Sequence, residues 1–260
     1  MIDRLLGNRL ALAGALVLSA LLGAALYAGI AALLPGMGKR GEVERVVHTY
    51  LLEHPEVVLE SVDRYRQRET AKAEKAQADA EVAANAALPA ELPRLRTPFG
   101  SAWTGNPQGD VTVVAFMDYA CGYCRASLAG IDQLLKRDPG VRIVYREYPV
   151  LGPESVTAAR WALAAAEQGK FKPFHDALFA ADGPSDANIA AAAKTAGLDM
   201  AAAQKAVASP AVETEIKANH GFGQKLAMAG TPAWVIGGKL YYGARDYDGL
   251  AEAVAAARGK

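Results

Sequence analysis

Apolar and polar positions follow three distinct patterns along the chain. In the first there is no alternation: residues 10–34 carry no charge, with Arg4 and Arg9 on one side and Pro35-Gly36, Lys39 and Arg40 on the other. A secretory apolar region needs roughly 7–15 residues and a spanning helix about 20. The length predicts a signal-anchor within residues 1–36. A cleaved signal peptide is the alternative, because Gly29-Ile30-Ala31 sets small residues where a signal peptidase reads. A buried core helix fits poorly, since the run offers no side to water. Two cationic residues precede it and three follow (Lys39, Arg40, Arg45), so the positive-inside rule does not fix orientation.

The second pattern is helical. Val43, Val46, Val47, Tyr50 and Leu51 form one apolar stripe, and after His54-Pro55 a second stripe follows with Val57, Val58, Leu59, Val62 and Tyr65. Proline disfavours helix at His54 and suits the first turn of the next helix, so the spacing predicts helix, sharp turn, longer helix. Residues 66–87 are Ala, Glu, Lys, Gln and Arg with high helix propensity and almost no large apolar side chain. They read as a solvated spacer, with an oligomer stem as the alternative. Eleven large apolar side chains between Val43 and Tyr65 exceed what two short helices bury alone. They are expected to dock on the rest of the chain or on the same segment of another copy. Pro89, Pro93 and Pro98 are expected to break any helix, so residues 37–92 read as a helical region and linker, and the main domain as 93–260.

The third pattern is that of strands and short helices. Residues 111–117 form a β-branched apolar run and 141–149 a second, with a helix expected over 122–137 between them, the make-up of a parallel crossover. Residues 153–228 are alanine-rich and punctuated by Gly and Pro, which predicts several short helices. Residues 233–236 and 239–242 flank Gly237-Gly238, a hairpin signal, and a last helix is expected over 247–257. The fold class expected from this pattern is α/β.

Composition adds little to the fold but removes some functions. Acidic and basic residues balance at 28 each, so no global field favours nucleic acid. The chemistry concentrates in Asp118-Tyr119-Ala120-Cys121-Gly122-Tyr123-Cys124-Arg125, where a strand ends and a helix begins. Backbone N–H groups and the helix dipole stabilise a thiolate there, which makes Cys121 the expected attacking sulfur and Cys124, one turn on and more shielded, the resolving one. Zinc needs about four ligands and only two cysteines and four scattered histidines are present. A structural bridge over so short a loop constrains the unfolded chain little. Cu(I) capture by two soft thiolates is a more serious competitor. His175, between Phe174 and Leu178, reads as a packed core histidine, and His48, His54 and His220 form no pattern. An export-like segment places the pair in an oxidising compartment.

Gly105-Asn106-Pro107, Gly109-Asp110, the run 111–116 into Asp118-Tyr119 and Cys-x-x-Cys together resemble the opening of the DsbA-like thiol–disulfide oxidoreductases of the thioredoxin superfamily. Residues 171–179 and Gly230-Thr231-Pro232-Ala233 continue the resemblance over about 93–260, and His-Pro-Glu-Val-Val at 54–58 is similar to the N-terminal segment of the ScsC-type, copper-tolerance-associated members. The resemblance implies a thioredoxin-like fold with a helical insertion over about 153–228, a cis bond at Thr231-Pro232 beside the cysteines, and a backbone at Thr231 that pairs with a client strand. It implies exchange on exported proteins, by oxidation or isomerisation, with a membrane or periplasmic redox partner. No cofactor beyond the Cys121–Cys124 disulfide and no metal is expected, and self-association through residues 41–90 is. Gly122, Tyr123 and Asp118 are expected to tune the couple; the motif lacks an imidazole, which suits a moderately oxidising one. Family members often carry a buried acid six residues before the first cysteine, where this chain has Ala115. Asp118 is then the candidate substitute for proton relay to Cys124, or else a helix-start residue. A membrane-tethered copper-binding protein using the same thiols is the alternative function.

Overall fold

The computed structural model describes residues 9–33 and 40–259, which divide between Ala73 and Glu74 into two compact units. In the N-terminal unit, α1 spans Arg9–Leu33 and α2 spans Arg40–Glu53. The first part of α3 (Glu56–Leu95) completes it. Within α1, Leu12–Ile30 is long and apolar enough to cross a membrane or to serve as a signal sequence. His54 stands outside both α2 and α3, its ring 4.5 Å from that of Tyr50 and its Nδ1 3.1 Å from Glu56 Oε1. Val43, Val46, Val47 and Tyr50 on α2, and Val58, Leu59, Val62 and Tyr65 on α3, are all exposed.

The expected break does not occur at Pro89 or Pro93; the helix ends before Pro98. α3 continues through Pro89 and Pro93 to Leu95, with Ala84, Leu88 and Leu95 buried. Each proline removes a helix hydrogen bond and costs about 3 kcal/mol. Burying a leucine returns about 1.5–3 kcal/mol, and Leu88 and Leu95 pack among Val114, Phe116, Phe222 and Val235. That burial, together with donation from Arg146 to the carbonyls of Arg94 and Leu95, offsets the local preference.

The sheet in this second unit has five strands in the order β1-β3-β2-β4-β5: β1 (Trp103–Gly105), β2 (Val111–Met117), β3 (Val141–Glu147), β4 (Ala233–Ile236) and β5 (Lys239–Tyr242). β2 and β3 run parallel, linked through α4 (Gly122–Arg137), and every other neighbouring pair is antiparallel. Side chains alternate along a strand. Val111, Val113, Ala115 and Met117 of β2 therefore face one layer and Val114 and Phe116 the other. The first layer holds α4, α10 (Tyr247–Arg258) and most of the insertion; the second holds the end of α3 and the end of α9. The insertion runs through α5 (Pro153–Glu167), α6 (Phe171–Ala180), α7 (Asp186–Thr195), α8 (Met200–Val207) and α9 (Pro210–Lys225). α5 is its hub, touching α6, α7, α8, α9 and β3.

Two Arg side chains fasten this unit. Arg146 on β3 is buried and donates to the carbonyls of Arg94, Leu95 and Thr97, to Glu215 Oε1 at 2.6 Å and to Asn219 Oδ1 at 3.4 Å. Arg258 on α10 reaches Asp110 and Asp138 at the surface.

Candidate active site

β2 ends at Met117 on a sheet position buried from both faces, and α4 starts at Gly122, so the turn between them is held at the carboxyl edge of the sheet. Cys121 is the N-cap of α4: its backbone is extended and its Sγ accepts from Cys124 N at 3.3 Å. The same sulfur donates to Thr231 O at 3.2 Å, and the Thr231-Pro232 bond is cis. The sequence-predicted residues Cys121, Cys124, Thr231 and Pro232 thus come together from two separate stretches of chain. Cys121 is 6% exposed and Cys124 0%. Burial holds the Cys124 thiol well above the ordinary thiol range, and the nearby Cys121 adds to the effect. Both cysteines are free thiols.

The other predicted residues take separate positions. The Tyr123 side chain is 71% exposed, and a side chain at Gly122 would meet open space. Asp118 is not a helix cap, because Cys121 occupies that position. It is buried, and its carboxylate accepts from Ala120 N (2.8 Å), Val150 N (2.8 Å) and Leu151 N (3.1 Å), tying the cysteine turn to the loop after β3. Ala115, at the position of the absent acid, lies buried between Tyr145 on β3 and Trp234 on β4. Among the described residues no three or more His, Cys, Asp or Glu side chains gather as metal ligands would.

Sequence reasoning missed a second buried group beside the turn. Tyr119 donates to Glu147 Oε1 at 3.3 Å and its hydroxyl lies 3.0 Å from His175 Nδ1, all three side chains being buried. Phe171, Tyr145 and Phe179 close around the His175 ring. Burial holds Glu147 well above its ordinary value, and the Asp118 charge pushes it the same way. Burial lowers His175 to about 3, with Lys172 contributing. Burial and then the Glu147 charge keep Tyr119 protonated. The one signal available was Glu147 itself, an acid closing an apolar strand.

A pH dependence of stability with a definite sign follows. His175 has a folded value below its ordinary 6.5, so its contribution is complete above pH 6.5 and is lost as pH falls toward 3. Glu147 has a folded value above 4.5, so its contribution is complete below pH 4.5 and declines as pH rises through the folded value. Glu147→Gln is expected to stabilise the chain near about pH 8 and to change little near about pH 4, and His175→Phe to flatten the acid limb. Urea midpoints across this range check both, and parallel profiles for variants and wild type would contradict the assignment.

Two parts of the chain match described protein families. A model described as DSBA-like thioredoxin domain matches residues 112–255, and one described as copper resistance protein ScsC N-terminal domain matches 40–72. A thioredoxin-like oxidoreductase from Silicibacter pomeroyi DSS-3 superposes with a TM-score of 0.59 at 42% identity, covering 61% of this chain and 92% of the other. The catalytic domain of Proteus mirabilis ScsC superposes with a TM-score of 0.61 at 26% identity, covering 68% and 99%. The Na(+)/H(+) antiporter NhaA 3 of Salinispora tropica is 30% identical over 156 residues, 59% of this chain, and the chain spans only 24% of that relative's length. With more than half its length matched, from the start of β2 to the last helix, the chain belongs to the DSBA-like thioredoxin domain family, and its residues 40–72 match the ScsC N-terminal domain.

Proposed function

We propose that the chain is a thiol–disulfide oxidoreductase of the cell envelope, held to or exported across the membrane by residues 1–36, that exchanges disulfides on exported proteins through Cys121 and Cys124. The observation that carries this reading is the pairing of a helix-capping sulfur with a strand-like backbone: Cys121 Sγ lies 3.2 Å from Thr231 O, so a client strand paired with Thr231 would bring its own sulfur to Cys121. The Cys121 thiolate attacks a client disulfide, one client sulfur leaves as thiolate, and a mixed disulfide forms. Cys124 then loses its proton and attacks Cys121 Sγ, releasing the second client thiolate and closing the enzyme disulfide. Two electrons pass from enzyme to client; oxidation is the same sequence reversed. No cofactor beyond the enzyme disulfide is needed. Gly122, Tyr123 and Asp118 set the potential of the couple, and a redox partner in the membrane or periplasm sets the net direction.

The exposed apolar side chains of α2 and α3, in the segment matched by the ScsC N-terminal domain, support self-association through residues 41–90. An assembly would hold several cysteine pairs around one client, which favours isomerisation. Copper binding by the same two thiols is the second reading, favoured by the name of that matched domain.

Cys124→Ser separates the two. Exchange predicts that the variant accumulates mixed disulfides with envelope proteins, visible as adducts that vanish on reduction. Copper storage predicts none, and their absence would overturn the exchange reading.

A further inference from the structure

The stretch between β5 and α10 touches both halves of the thiol site. Gly243 N donates to Pro232 O at 2.9 Å, and Trp234 Nε1 donates to Gly243 O at 3.0 Å, so Gly243 is bound on both sides to the cis-proline segment. Two residues on, Arg245 N donates to Ser127 Oγ at 3.0 Å, and Ser127 Oγ donates to the carbonyl of Tyr123, between the two cysteines, at 3.1 Å. Ser127 is buried. One turn along the same helix face is Gly130, where a Cβ would come within 2.7 Å of Asp246 C; only glycine lets the loop lie this close to α4. The guanidinium of Arg245 covers the Tyr241 ring at 4.4 Å and donates to Gly249 O at 3.3 Å, which holds the loop in place.

These contacts form a ring. From Pro232 it passes through Gly243, Arg245, Ser127 and Tyr123 to the cysteines, and it closes through Cys121 Sγ on Thr231 O. Only the last link depends on the redox state. A sulfur in a disulfide has no proton to donate, so once Cys121 is bonded to a client its hydrogen bond to Thr231 O is gone. Beside the pairing of β4 with β2, the hydrogen-bonded path left between the cis-proline segment and α4 runs through Ser127. At that moment Cys124, fully buried, must meet Cys121 Sγ along the axis of the bond it breaks.

We infer that Ser127 is a positioning residue for the resolving step, holding the cysteine turn in register with the client-binding Pro232 segment while Cys121 is tied up in the mixed disulfide. The inference rests on the exchange reading above. It separates two steps that a general stabilising role would affect alike: adduct formation needs only a client sulfur to reach the Cys121 thiolate, whereas resolution needs the buried Cys124 aligned with the Cys121–client bond.

The test is a single-turnover experiment on the full reduced chain in detergent, with a peptide carrying one disulfide, quenched with acid and separated without reductant. Ser127→Ala is expected to form adduct within about twofold of the wild-type rate and to resolve it about five to ten times more slowly, the kinetic counterpart of one neutral hydrogen bond. Ser127→Thr, which keeps the hydroxyl, is expected to restore resolution. A variant that is merely less folded would form less adduct yet resolve what forms at the wild-type rate, and that result overturns the inference. So does an equal fall in both steps that threonine does not rescue. A wild-type chain that forms no adduct defeats the exchange reading instead.

Discussion

Cys121→Ala is expected to bring disulfide exchange down to the uncatalysed background, a loss of at least about 10³-fold, as when the nucleophile of a concerted catalytic group is removed. The size of the loss rests on how differently the two sulfurs are placed. Cys121 caps a helix and has the Thr231 carbonyl at its sulfur, whereas Cys124 is wholly enclosed and its thiol is held up by that burial. Cys124 therefore has neither the access nor the thiolate population to take over. The measurement is turnover of a fluorescent mixed disulfide by wild type, Cys121→Ala and Cys124→Ala. Retention of a tenth or more of the activity in Cys121→Ala would mean that Cys124 attacks clients directly, and the roles given to the two sulfurs would have to be exchanged.

The second large effect is on stability. Arg146→Met is expected to cost about 3–5 kcal/mol, the range seen when one partner of a buried ion pair is removed. Glu215 loses its cation, and the carbonyls of Arg94, Leu95 and Thr97 lose a donor they share. At about 2–4 °C per kcal/mol for a domain of this size, thermal unfolding should fall by roughly 10 °C. Arg258→Ala makes the contrast. It breaks two ion pairs where Arg146→Met breaks one, but at the surface, where water and salt already weaken them, so its shift should be much smaller and should shrink further in added salt. Scanning calorimetry of the two variants in the same detergent decides the matter; equal shifts would mean that Arg146 is less enclosed than its contacts imply.

Much of this architecture was legible from periodicity and turn residues. The run 111–117, the helix 122–137 and the hairpin around Gly237-Gly238 correspond to β2, α4 and β4–β5, because in each the local preference and the final environment agree. The prolines at 89 and 93 misled for the opposite reason. Their local preference is to end a helix, and it is offset by contacts with residues distant in sequence, the burial of Leu88 and Leu95 and the donation of Arg146 to the helix-end carbonyls. The cysteines and Thr231-Pro232 could be named from their motifs. Ser127, Tyr119 and Glu147 could not, since their significance lies in partners 118, 56 and 28 residues away. Arg146 and Glu147 are adjacent on β3, so their side chains leave opposite faces of the sheet, and both are buried because both faces are covered. Nothing in a run of alternating letters announces that.

Helix α5 carries Ala158, Ala159, Ala162, Ala164, Ala165 and Ala166 all in the interior, facing four neighbouring helices and a strand. By composition it looks like filler. Yet methyl-sized side chains on several sides fix how near those neighbours stand, and each added carbon would wedge them apart in a space that has no slack. Glycine would avoid the wedge but weaken the helix by about 1 kcal/mol at each site. A saturation scan of the whole chain should therefore find this monotonous stretch among the least permissive regions, while the chemically conspicuous Tyr123, standing out in solvent between the cysteines, accepts many replacements at little cost to folding.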